Sequence, residues 1–446
     1  MLNSSIEKMA GTSKIVLAGY IILATCSLCW CIYRDVQIEK QYPGDLRNRI
    51  VGSRLQMDGR SPYFYHWKSV PPDFRYYDPE NYTIQKVSSV TATPFFHQLL
   101  YPIANLPQRT ISRVWLVLEY LVLFIMTVLA IVMAKEQKQK WAVLFSSLFF
   151  LHSYAWTANV EVGQMYIIIP FVAMLFYFFM TRPHTLINAG LAGIFAMSLV
   201  LIRPTAIVFF LPFLLLTKQY SRKYRLIFVT GSLLVFVFAF GSSNARGYWS
   251  DYREAMTEHV KLHQDISPTV KNDEFVPVYE QWEGWDREQI KKDEAHFSYA
   301  HNGEHGNFFV FVRVLLHIKL KIWQLSVLCI GALAFLFLLF YRKFRRQPFT
   351  IYFIALIGFC LYMTTDFFSP IHRHQYNASQ WIFPLLLVAS GYTPSFKKIY
   401  ITGIIAGLLL NAIPVVIMPM QRTVGELLIY ASLVGLLLTY KTNRLA

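Results

Sequence analysis

Two short stretches of this 446-residue chain place ionisable side chains where they could do chemistry. The first begins at Asp45, directly after Pro43-Gly44. From there apolar residues recur at Leu46, Ile50, Val51 and Leu55, with Arg47, Arg49 and Arg54 between them. A carboxylate at that point can act as a general base when a substrate hydroxyl comes within hydrogen-bond reach. It fits equally as a helix N-cap that accepts backbone amides. The second stretch is 366–380, with Asp366, Ser369-Pro370, His372-Arg373-His374 and Tyr376. Three cationic or switchable groups in succession suit an anionic ligand. His372 and His374 are spaced i, i+2 without partner ligands nearby, and the chain has no Asp-x-Asp pair, so no metal is expected.

Other polar groups stand out against apolar surroundings. Arg203 precedes Pro204, where a guanidinium either meets a phosphate or snorkels to lipid headgroups. Glu119 interrupts an apolar run; a lone charge there costs about 2.5–3.5 kcal/mol, so it faces protein or a wet cavity. Asn159, Glu161 and Gln164 crowd one short connection, which fits a hydrophilic pocket or simple solvation. Asp58-Gly59-Arg60-Ser61-Pro62-Tyr63 reads as a turn. Tyr63, Tyr65 and Trp67 after it suit either stacking on a sugar or the headgroup zone.

The elements that carry these groups are membrane helices. Hydrophobic residues make up 55% of the chain against 15% charged, and mean hydropathy is +0.37. A soluble core of this length does not need so much apolar surface, whereas a bilayer demands roughly 20 apolar residues per crossing. The pattern predicts an all-α polytopic membrane protein of about twelve spans. They fall at 15–33, 111–134, 141–157, 165–181, 186–202, 204–216, 226–243, 320–341, 349–365, 381–392, 399–417 and 426–440. The first lacks a small-x-small exit and is retained rather than cleaved. Arg203-Pro204 hinges one broken or re-entrant element.

Threaded alternately, these spans bring the basic clusters at 135–140, 218–225, 342–346, 397–398 and 441–444 to one side, with both termini. That is the cytoplasmic side by the positive-inside rule. The same distribution explains the net charge of +16 and argues against nucleic acid as a partner. The other side receives two long segments, 34–110 and 244–317, the second holding 13 of the 26 acidic residues. Two surface-lying amphipathic helices are expected in the first, one from Asp45 and one from Pro94-Phe95-Phe96-His97 to Leu106-Pro107. All five cysteines lie within predicted spans, which implies no disulfide framework, and there is no internal repeat. Residues 1–446 therefore form a single membrane domain.

Four stretches, taken in order, resemble glycosyltransferase family 87, the polyprenol-phosphate-mannose-dependent alpha-mannosyltransferase type. They are Asp45-Leu46 to Gly59-Arg60-Ser61-Pro62-Tyr63, Pro94-Phe95 to Leu106-Pro107 and Trp115, Val162-Gly163-Gln164-Met165 with Arg203-Pro204, and Ser369-Pro370 with His374 and Tyr376. The family's aromatics after the Asp are here Arg47 and Arg49, and 244–317 carries no matching motif.

The resemblance implies a GT-C-type bundle whose extracytoplasmic loops bear amphipathic helices. It implies Asp45 as the catalytic base of an inverting hexosyl transfer, with mannose the default sugar. Arg203, His372, Arg373 and His374 would hold the donor phosphate. Tyr63, Glu119, Asn159, Glu161, Gln164 and Tyr376 would line the substrate. The implied partners are a polyprenyl-phosphate sugar, a glycan or glycolipid acceptor and the bilayer of a bacterial plasma membrane. The lipid-linked sugar is substrate, so no cofactor is expected. A transporter or flippase of a lipid-linked saccharide would share the span count, but broken midplane helices and related halves are not visible. A lipid-linked glycan polymerase or ligase remains within the same chemistry.

Overall fold

The computed structural model describes residues 2–40, 43–63, 76, 90–182, 185–263, 306–346, 350–371, 373–391, 396–413 and 415–439. Among them regular structure is helical throughout. In chain order the helices are α1 (Leu2–Glu39), α2 (Gly44–Met57), α3 (Pro94–Ala104), α4 (Gln108–Met133), α5 (Gln137–Leu151), α6 (Tyr154–Val162), α7 (Ile168–Thr181) and α8 (Leu186–Ile202). A 3₁₀ helix, Pro204–Gln219, follows. Then come α9 (Arg222–Phe240), α10 (Ala245–His263), α11 (Phe308–Leu316), α12 (Ile322–Arg346) and α13 (Ile351–Phe367). A second 3₁₀ segment, Gln375–Trp381, leads into α14 (Ile382–Ser390), α15 (Lys398–Ala412) and α16 (Gln421–Thr439).

Among the described residues five stretches are long and apolar enough to cross a bilayer alone: Ile21–Glu39, Gln108–Met133, Arg222–Phe240, Ile322–Lys343 and Gln421–Thr439. Five shorter apolar helices accompany them, at Ile168–Thr181, Leu186–Ile202, Pro204–Leu216, Ile351–Phe367 and Lys398–Ala412. The fold is that of an all-α polytopic membrane protein. Two expected spans are not single helices. The stretch 141–157 breaks between α5 and α6, where Ser153 Oγ accepts from Trp156 N at 3.2 Å and starts a new helix. The stretch 381–392 is the end of a 3₁₀ segment joined to the short α14.

The hinge at Arg203 is where the sequence places it. Pro204 disfavours helical backbone in the residue before it. Arg203 is accordingly extended (φ −136°, ψ 94°), so α8 stops and the chain restarts as the 3₁₀ helix.

The two helices expected to lie on a surface pack against protein, α2 along most of its length and α3 on one face, with Leu99 left exposed. In α2, Leu46, Ile50, Val51 and Leu55 are covered, and so are Asn48, Arg49, Ser53, Arg54 and Gln56. Of the arginines whose spacing reads as a polar face, Arg54 is satisfied by protein. Arg54 donates to Ala104 O (2.6 Å), Tyr76 O (2.9 Å) and Leu106 O (3.1 Å), closing the carbonyl end of α3. Helix α3 starts at a Thr93 cap with Pro94 in its first turn and buries Phe95, Phe96, His97 and Leu100. Gly52 of α2 lets the two helices close, since a Cβ there would fall 2.8 Å from His97 Nε2.

Small residues set the tightest packing elsewhere. Gly193 and Gly231 let α8 and α9 touch backbone to backbone, and Gly407 with Gly425 does the same for α15 and α16. Helix α13 runs through the centre, buried from Phe353 to Thr364 and again at Asp366 and Phe367. It packs on the Pro204–Gln219 helix, which brings its end toward Arg203.

Candidate active site

Asp45 does not cap α2. The cap is Pro43, and Asp45 stands in the first helical turn with no side-chain bond to the backbone. Its Oδ2 instead accepts from Gln164 Nε2. Gln164 reaches it because α6 ends in a left-handed Gly163 (φ +63°) that turns the chain back. A Cβ on Gly163 would lie 2.8 Å from Pro43 Cβ and 2.6 Å from Leu46 Cβ. One glycine therefore supplies both the turn and the room for the start of α2.

The Gln164 amide is held from both ends. Its Oε1 accepts from Arg49 Nη2 while its NH2 faces Asp45. Burial pushes the Asp45 carboxyl above its ordinary range; Arg49, the Gln164 hydrogen bond and Arg47 oppose that shift. The residue still keeps part of its surface accessible, as a base must.

Aromatic rings carry the site onward. Tyr376 enters from the 3₁₀ segment that packs on α6. It stacks on Tyr166 at 5.3 Å between centroids and on His374 at 5.1 Å. Burial, with Asp45 nearby, holds its phenol well above the usual value, so it stays protonated. The Arg203 guanidinium lies 5.7 Å from the Tyr166 ring. Its Nη2 donates to Asp366 Oδ1 at 3.1 Å, with the side chain 25% exposed. Tyr252 of α10 sits close enough to Arg203 to feel its charge, and its ring is 5.7 Å from Tyr63.

Arg373 lies behind this layer. It is 1% exposed, donates from Nε to Asp366 Oδ2 and from Nη1 to Glu426 Oε2, and its guanidinium is 5.0 Å from the Phe367 ring. Two buried carboxylates thus occupy its Nε and Nη1. His372 lies outside the described residues.

Of the remaining candidates, Asn159 adjoins Gln164, its backbone carbonyl accepting from Gln164 N at 2.9 Å. Glu119 Oε1 accepts from Asn159 Nδ2 at 2.7 Å and from Trp115 Nε1 at 3.0 Å. Both Glu119 and Asn159 are buried, and the pair ties α4 to α6. Glu161 is exposed and bonds to none of the other candidates. Tyr63 is buried; its hydroxyl donates to Ala92 O at 2.7 Å and its ring packs between His97 and Tyr252. These are packing and hydrogen-bonding duties that hold the site's walls.

The structure thus gathers Asp45, Gln164, Tyr376, His374 and Arg203, and adds Arg49 and Asp366, which the sequence marked without giving them a role, and Tyr166, Tyr252 and Glu426, which sequence reasoning passed over. Glu426 carried a signal, being a lone acid at the edge of an apolar run. Tyr166 and Tyr252 carried none, since aromatics beside membrane helices are common.

A base on one element and a cation on another, joined by aromatics, can accept a proton and hold an anion in one reaction. Residues 91–271 match the sequence model of Glycosyltransferase family 87. The match supports a glycosyltransferase and takes in Glu119, Asn159, Gln164, Arg203 and Tyr252; Asp45, Asp366 and Arg373 lie outside it. No curated protein and no solved structure matches the chain.

Proposed function

We propose that this protein is an inverting hexosyltransferase of the bacterial plasma membrane. It moves a hexose, mannose first among them, from a polyprenyl-phosphate sugar to an extracytoplasmic glycan or glycolipid. The observation that carries this reading is the Asp45 carboxylate, turned toward Gln164 and Tyr376 and linked through Tyr166 to the Arg203 guanidinium.

An acceptor hydroxyl attacks the anomeric carbon, and its proton passes to Asp45. The bond from that carbon to the phosphate oxygen breaks, the electron pair leaves on the phosphate, and the carbon inverts. A phosphate leaves readily and needs no strong acid. Arg203 and His374 meet its charge, with His372 as a further donor, and Arg373 acts through Asp366 as a positioning residue. Tyr376 and Gln164 orient the sugar hydroxyls, and Tyr63, Glu119 and Asn159 keep their helices in place.

The test is transfer by the purified full-length chain, offered a panel of radiolabelled polyprenyl-phosphate sugars. Product from one of them supports the donor class. Product from nucleotide sugars alone removes it. Undiminished transfer by Asp45→Asn removes the assigned base.

A further inference from the structure

Arg49 differs from Arg203 and Arg373, the two guanidiniums that pair with carboxylates beside the site. It lies one turn beyond Asp45 on α2 and is 6% exposed. Its Nη2 donates to Gln164. Its Nε and Nη1 are buried without a hydrogen-bond partner among the described residues. Among the described residues no carboxylate oxygen stands within ion-pair distance of it, whereas Arg203 pairs with Asp366 and Arg373 with Asp366 and Glu426.

Among the described residues the groups packed around Arg49 form no direct ion pair with it. From α3, His97 Nδ1 meets the backbone carbonyl of Arg49 at 3.0 Å, and burial lowers that imidazole to about 3, so it carries no charge. From the 3₁₀ segment, Tyr376 is a neutral phenol. From α2 itself come Arg47, of like sign, and Asp45, whose carboxylate attracts Arg49 through space but is joined to it in hydrogen bonds only by way of the Gln164 amide. An arginine stays charged under all ordinary conditions. Leaving it out of water with open N–H groups is costly unless an anion arrives.

We propose that Arg49 is the anion anchor of this site and takes the oxygens of a phosphate ester on a lipid. The source of that phosphate rests on the glycosyl-transfer reading above. Asp45 and Arg49 are four residues apart, about 6 Å along the helix axis. An acceptor hydroxyl at Asp45 and a phosphate at Arg49 therefore fit on either side of one anomeric carbon. When the carbon–oxygen bond breaks, the electron pair stays on the phosphate, which changes from a singly charged diester to a monoester with a second negative charge. Arg49 gains most at that moment, as differential stabilisation requires.

The test is calorimetric binding of farnesyl phosphate to the purified full-length chain, with farnesol and inorganic phosphate as comparison probes. Arg49→Gln keeps a hydrogen-bonding amide opposite Gln164 and removes the charge; Arg49→Lys keeps the charge. Farnesyl phosphate should bind about tenfold or more weakly to Arg49→Gln, with partial recovery in Arg49→Lys and farnesol binding unchanged. Thermal melting of both variants alongside wild type confirms that a folded protein is compared. Binding to folded Arg49→Gln within twofold of wild type overturns the anchor. Inorganic phosphate displacing farnesyl phosphate at equal concentration overturns the lipid source. Because the readout is binding, the two readings fail separately. Transfer by wild type with Arg49-independent binding removes only the anchor. Arg49-dependent binding with no transfer from any polyprenyl-phosphate sugar removes only the enzyme.

Discussion

The carboxamide of Gln164 donates to Asp45 across 119 residues of sequence, and its carbonyl end is fixed by Arg49. An amide free to flip would present an oxygen to the carboxylate as readily as an NH2. Arg49 removes that choice, because only one orientation accepts the guanidinium and serves the aspartate together. Asp45 is thereby aimed without being capped.

Asp45→Asn should lower transfer by about 10²–10⁴-fold, the usual span for a positioned base. The change keeps the shape and the acceptor for Gln164, so thermal melting should stay close to wild type. A large fall in melting temperature with normal specific activity would show a structural carboxylate instead.

The pH dependence follows from burial at Asp45. Only the ionised form takes a proton, and burial raises its pKa, so activity should decline with acid at a pH above the roughly 3.9 of an ordinary aspartate. Gln164→Leu withdraws a hydrogen bond that favours the ionised form and should move that limb further up. Gln164→Glu adds a like charge and should move it more. A pH profile of kcat reads all three; an unmoved acid limb in both variants rules out Gln164 as the residue that tunes Asp45.

Gly163→Ala should damage the site from outside it. An alanine at φ +63° costs of order 1–3 kcal/mol, and its methyl group would press on Pro43 and Leu46. Displacing the start of α2 parts Asp45 from Gln164. Transfer should fall by more than the lost melting temperature explains, and activity assayed well below that temperature separates the two.

Glu426→Ala should destabilise the fold by about 3–5 kcal/mol, since it leaves Arg373 buried with one of its two carboxylates gone. Glu426→Gln should cost less, retaining an acceptor. Unfolding in detergent measures both. If the alanine variant melts with wild type, the Arg373–Glu426 bridge does not hold α16 to the core.

Glu119→Gln should be tolerated better than Glu119→Leu, because an amide oxygen still accepts from Trp115 and Asn159. Leucine would leave the Asn159 amide and the Trp115 indole buried without their acceptor, at about 1–3 kcal/mol each. Melting temperatures of the two variants check the order.

The local pattern of residues determined where the membrane helices lie, because a long apolar run has few fates and Pro204 acts on the residue beside it. It also singled out Asp45, Gln164, Arg203, His374 and Tyr376, each a polar group beside apolar runs. What covers α2 was beyond its reach. A stripe of leucine and arginine reads the same whether its arginines meet water or, like Arg54, the carbonyls of a distant helix. Only the tertiary structure decided which guanidiniums meet carboxylates and which meet an amide. Arg373 is closed by Asp366 and Glu426, from two separate helices, while Arg49 has only an amide. The physical reason is that a buried charge is judged by its nearest counter-charges, and here those come from segments tens to hundreds of residues away.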